Sequence, residues 1–162
     1  MKYYTLQTLK AWNESKEKGY LEGNKNFIMD DEKYYQWMIN QMSKRLKDYN
    51  GEYPIWLWLT LDNINIIDAL EEDYVLLEIE LSEDKVLLSN FYAWHDIIND
   101  GYFGDNKEQL TQEENWEILF NKKELDKLGF TFDDDDMQGV TGKIDLDNIK
   151  VLKYILNEMR GK

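Results

Sequence analysis

The residues able to do chemistry in this chain are few and dispersed. Glu78 and Glu80 stand two apart in an alternating segment, so both carboxylates belong on one strand face, about 7 Å apart. Such a pair can divide acid and base roles or hold a divalent cation. A solvated strand face produces the same pattern with no function at all. His95 is the sole histidine. A Ser-His-Asp triad would have to use it, yet no Gly-x-Ser-x-Gly elbow occurs. One imidazole cannot build a multi-His metal set. Its place beside Trp94 on a short amphipathic segment suits a packed or capping histidine.

Asp133 to Asp136 are four consecutive acids. A calcium loop spaces its ligands at alternate positions with a glycine midway, so this run reads as a solvated loop, and no metal site is expected. Gly139-x-x-Gly142-Lys143 lacks the phosphate-loop spacing, because Ile144 follows the lysine. Arg45 is one of two arginines, with Arg160. A guanidinium suits bidentate carboxylate or phosphate binding, and it equally suits a salt bridge at a helix end.

The strongest element signal is Tyr53-Pro54-Ile55-Trp56-Leu57-Trp58-Leu59-Thr60. Strand alternation sends Ile55, Leu57 and Leu59 to one face and Trp56 and Trp58 to the other. Tryptophans fill cores, and they also make stacking floors for bases or nicotinamide. Around this strand, the pattern predicts an opening strand over 3–7 and a helix over 8–18 with Leu9 and Trp12 inward. Gly19 ends that helix. A longer helix is expected over 31–49, capped by Asp30 or Asp31 and stopped at Asn50-Gly51. Residues 61–72 read as a polar connection, 74–81 as a half-buried strand and 85–89 as a short strand. Ser89 or Asn90 caps a helix to Asn99. A loop follows over 100–110. Thr111-x-x-Glu114 is a capping box opening a helix that continues to Gly129. Two closing strands, 138–144 and 150–156, finish the chain. This order predicts an α+β fold with a mixed or antiparallel sheet and packed helices, in one domain over 1–162.

Composition narrows the function classes. With 162 residues, 43% of them hydrophobic and 14% aromatic, the chain can bury a sizeable core. Its net charge of -14, from 33 acidic and 19 basic residues, repels phosphate backbones and argues against non-specific nucleic-acid binding. There is no cysteine, which excludes disulfides, thiolate nucleophiles and Cys-ligated metals. The start lacks a signal-peptide core, and no apolar run spans a bilayer. The expectation is a cytoplasmic protein without a membrane segment.

Several motifs together resemble a bacterial family classed as a domain of unknown function. They are Tyr4-Thr5-Leu6-Gln7-Thr8, Gly19-x-Leu21, Tyr35-x-Trp37-Met38-x-x-Gln41-Met42, Tyr53-Pro54-Ile55-Trp56, Leu77-Glu78, Val86-Leu87-Leu88-Ser89-Asn90-Phe91, Trp94-His95, Gln138-Gly139-Val140 and Ile149-x-Val151. The resemblance covers nearly the whole chain and implies a small α+β domain with no established activity to carry over. A weaker likeness is to the ADP-ribosyltransferase fold. That likeness implies Gln7 where a histidine or arginine holds the cofactor, and Gln138 near the strand that supplies the catalytic glutamate. Glu78-x-Glu80 is similar to the Glu-x-Glu signature of one branch. It comes too early in the chain, and no Ser-Thr-Ser segment precedes it.

Three readings follow. One is a small-molecule pocket, for a nucleotide or dinucleotide, lined by Gln7, Tyr34, Arg45, Trp56, Trp58 and Gln138. Its catalytic residues and any cofactor are unknown. The second is an acidic interaction or accessory protein of a bacterial or phage system, with a basic protein partner. The third is a structural acidic domain with no ligand.

Overall fold

The fold is that of a computed structural model, in which residues 1–24, 32–64, 72–104 and 111–157 are described. In chain order the elements are β1 (Lys2–Thr8), α1 (Leu9–Lys18), β2 (Tyr20–Leu21), α2 (Glu32–Arg45), β3 (Ile55–Trp58), β4 (Tyr74–Glu80) and β5 (Leu87–Asn90). Then come α3 (Phe91–Ile98), α4 (Gln112–Trp116), α5 (Lys122–Lys127), β6 (Met137–Thr141), β7 (Ile144–Asp145) and β8 (Ile149–Ile155). Six strands form one sheet in the order β5-β6-β3-β1-β4-β8, and β2 pairs with β7 separately. Each pairing is antiparallel. This is the α+β class with an antiparallel sheet.

Local chemistry explains the element boundaries. The Thr8 hydroxyl accepts from the Ala11 amide at 3.1 Å and starts α1 as β1 ends. Gly19 closes α1 in the left-handed region at φ +92, where a Cβ is costly. Asn90 ends β5 and caps α3 with one side chain, accepting from the Ala93 amide at 2.9 Å. Thr111 accepts from the Glu114 amide at 3.1 Å, as the capping-box spacing predicts.

Three expectations need correction. The second helix stops at Arg45 rather than Tyr49, because Asp48 turns into the left-handed region at φ 59. Tyr49 is then free to donate its hydroxyl to the Glu52 carbonyl. Its expected cap, Asp30 or Asp31, lies outside the described residues, as do 65–71 and 105–110 of the two connections and Arg160. The helix after Thr111 is not continuous. A 3-10 turn spans Glu117–Phe120, and the non-helical Asn121 starts α5 afresh by accepting from the Glu124 amide at 3.2 Å. The segment 138–144 is two strands: the chain turns at Gly142, where a Cβ would lie 3.0 Å from the Tyr49 ring, and Ile144–Asp145 leaves to pair with β2. In the sheet β6 lies between β5 and β3, while β8 pairs with β4 at the far edge.

The sheet separates two cores. On one face Tyr3, Ile55, Leu57, Val75, Leu77 and Ile79 pack with Trp12 of α1 and with Leu21 and Ile144 of the small sheet. On the other face Trp56, Leu87 and Val140 meet an aromatic layer from α2 onward, with Trp37, Trp94, Trp116 and Phe103 at its centre.

Candidate functional site

Strand register brings one residue from each of the six strands into a single row. Ser89 pairs with Gln138, Gln138 with Trp58, Trp58 with Tyr4, Tyr4 with Glu78, and Glu78 with Lys150. Directly paired residues point to the same face. The row therefore crosses the whole sheet on the aromatic side. The parallel row Leu87–Val140–Trp56 lies under the helical layer.

Burial grades along the row. Ser89 and Gln138 are buried, Trp58, Tyr4 and Glu78 are partly exposed, and Lys150 is exposed. Gln138 Nε2 reaches Ser89 Oγ at 3.4 Å. At the other end Lys2 Nζ stands 3.9 Å from a Glu78 oxygen.

A second line of rings runs up from Trp58 onto α3. Phe91 is 5.2 Å from Trp58 and His95 is 4.2 Å from Phe91, centroid to centroid. Tyr92 meets Phe91 edge-on at 5.4 Å and is exposed. His95 Nδ1 lies 2.8 Å from the Phe91 carbonyl oxygen. A carbonyl only accepts, so Nδ1 is the nitrogen that donates here. The histidine is packed, as its sequence position suggests, and its tautomer is fixed by its own helix.

Chemically, this patch offers the flat faces of Trp58 and Tyr4, a buried amide beside them, and a carboxylate with a lysine at the far end. Ring faces of this kind stack on planar groups. The carboxylate accepts hydrogen bonds from hydroxyls or amines.

The six residues singled out from the sequence divide. Trp58 and Gln138 are direct neighbours across the β3–β6 register. Trp56 shares their face one row away, packed against Trp94 at 5.3 Å and Tyr35 at 6.3 Å. Its Nε1 is buried and meets no acceptor among the described residues. Gln7 points to the opposite face, bonding its strand neighbour Thr5 at 2.9 Å. Tyr34 and Arg45 lie near opposite ends of α2, about 16 Å apart along its axis at 1.5 Å per residue. Tyr34 donates to Asp100 at 2.8 Å. Arg45 bonds Gln41 and lies over the Phe120 ring at 4.4 Å, and among the described residues it makes no salt bridge.

Sequence reasoning missed Tyr4, Ser89 and Phe91. The strand over 3–7 was expected, but only the register sets Tyr4 beside Trp58. Glu78 and Glu80 share a face as expected. Asp134–Asp136 form a 3-10 turn, where Asp136 accepts from Thr131 at 2.6 Å and Asp135 from Thr60 at 3.0 Å. Among the described residues no cluster of three or more His, Asp or Glu could hold a metal, and no helix is long and apolar enough to cross a membrane.

No curated protein and no solved structure matches this chain, so the ADP-ribosyltransferase likeness gains no support there. A family model described as a domain of unknown function, DUF3841, matches residues 2–148. That span takes in every strand of the main sheet except β8. On this match the chain belongs to the DUF3841 family.

Proposed function

We propose that this protein binds a small molecule carrying a planar ring, such as a nucleotide or dinucleotide, with the ring laid on Trp58. The observation that supports this reading is the row Gln138–Trp58–Tyr4–Glu78, where partly exposed rings adjoin a buried amide on one sheet face. Trp58 supplies the stacking face and Gln138 an amide beside it. Glu78, with Lys2 at hand, meets polar groups further along the ligand. No reaction and no cofactor is assigned. The reading takes residues 1–162 as one cytoplasmic domain.

Tryptophan fluorescence tests it. Nucleosides and nucleotides at millimolar concentration should quench the native protein saturably. Trp58→Phe should lose most of that response while keeping the fold. Absence of saturable quenching across the panel overturns the reading.

The second reading is an acidic interaction protein with a basic protein partner. It is favoured by the charge of -14 and by the exposed carboxylates of Asp133 to Asp135. A pull-down should then recover a basic protein whose capture weakens with salt. Capture that is indifferent to salt rejects it.

A further inference from the structure

A cavity of about 340 Å³, lined at one side by Ser89 of the row, opens where the β5 and β6 ends of the sheet meet the segment after α4. That volume lies in the range of small-ligand sites. Its lining is mostly apolar, with Met1, Leu59, Leu88, Phe120, Phe132 and Met137 as the main surfaces. Leu88 and Met1 are exposed apolar residues, so their surface there is wetted without a ligand.

Two charges of opposite sign share this cavity. Lys122 lines it and holds its ammonium 5.0 Å over the Phe132 ring. Asp134 lines it too. Its neighbours Asp135 and Asp136 are committed to Thr60 and Thr131. Among the described residues the Asp134 carboxylate has no hydrogen-bond or ion-pair partner, and Lys122 has no ion pair. Both residues line the same cavity, and among the described residues they form no ion pair with each other.

A largely apolar chamber whose lining carries one cation and one anion, with no ion pair to either among the described residues, matches a ligand that is apolar at one end and zwitterionic at the other. We infer that the cavity is a binding site for a free apolar α-amino acid. The side chain fills the Leu59–Leu88–Phe132–Met137 surface. The carboxylate meets Lys122 and the ammonium meets Asp134. A fatty or aryl acid would set its carboxylate against Asp134, and an alkylamine would set its ammonium against Lys122.

Methionine methyl NMR reads this site directly. Met1 and Met137 line the cavity, while Met38 and Met42 are buried in the aromatic core and act as internal controls. L-leucine and L-phenylalanine should shift the Met1 and Met137 methyls saturably and leave those of Met38 and Met42 in place. 3-Phenylpropionate and phenethylamine, each carrying one of the two charges, should bind more weakly. Lys122→Met and Asp134→Asn, both at exposed positions, should each weaken phenylalanine about fivefold, the scale of an exposed charge pair. No shift at Met1 and Met137 overturns the site. Binding of either single-charge compound as tight as that of phenylalanine overturns the amino-acid assignment, as does binding unchanged in both variants.

Discussion

The two faces of the sheet are built on different principles. The α1 face is largely aliphatic, and its inward residues from β1, β3 and β4 are almost fully buried. The opposite face is aromatic and unevenly covered. Its helical layer packs on the Leu87–Val140–Trp56 row, and the next row emerges half-exposed at Trp58 and Tyr4. Aliphatic side chains interdigitate and close a surface. Stacked rings leave flat faces at the rim of the layer, where a planar ligand can be added without rebuilding the core. The sheet therefore has one closed face and one that leaves ring faces open, the face to which the proposed ligand is assigned.

Truncating each core is the most forceful way to break this comparison. Trp37 touches Trp94, Trp116 and Phe120 at 5.7–6.4 Å, so Trp37→Ala should cost about 4 kcal/mol in urea unfolding. Leu57→Ala on the aliphatic side should cost about 3 kcal/mol. A larger loss at Leu57 would reverse the ranking of the two cores.

The aromatic layer also depends on a polar clamp. Asn115 is fully buried, accepts from the Phe103 amide at 2.6 Å and donates to the Phe103 carbonyl at 2.9 Å. Asn115→Ala strands both backbone groups and should cost about 2 kcal/mol, with faster hydrogen exchange at the Phe103 amide. Unchanged exchange there would show that α4 does not hold that loop in place.

Trp56 gives a smaller effect and a sharper contrast. Its indole N–H is buried without a partner among the described residues, so Trp56→Phe removes an unsatisfied donor along with some ring area. We expect a change within about 1 kcal/mol, far below that at Trp37. A loss of several kcal/mol would mean that ring area alone decides at this position.

The smallest effect is electrostatic. Hydrogen bonds from the Tyr34 hydroxyl and the Lys33 ammonium hold the Asp100 carboxyl below its usual 3.8. A lowered carboxyl stabilises the fold above its unfolded value, and the gain is lost as pH falls through the folded value. Thermal unfolding of Asp100→Asn should therefore approach that of the native protein below about pH 4 and fall behind it at neutral pH. A gap that persists at low pH would assign the difference to packing.

Much of this architecture was legible in sequence because it rests on local rules. Thr8, Gly19, Asn90 and Thr111 mark their helix ends by hydrogen bonds within four residues. The opposed faces of Ile55-Trp56-Leu57-Trp58 follow from alternation alone. What stayed hidden depends on pairing across long sequence separations. Nothing near Gln7 says that Tyr4 and Trp58 are opposite, so a pocket combining Gln7 with Trp58 looked reasonable until the register put them on different faces. The break at Gly142 is set by Tyr49 and Glu52, far away in the chain. Both misses belong to tertiary contact rather than to propensity.

Strand order also dictates the order of events at the ribosome. β1 lies in the interior of the sheet, between β3 and β4. It is translated before both of its partners, and β3 must wait for β6, close to the end of the chain. Lys2–Thr8 therefore leaves the ribosome as an interior strand with both edges bare; Ile55–Trp58 can cover one edge, and the other stays open until Tyr74–Glu80 has been made. Long-range pairing of this kind folds slowly and leaves strand edges exposed to other chains. The folded yield of this protein is thereby made sensitive to synthesis speed and chaperone supply as well as to equilibrium stability.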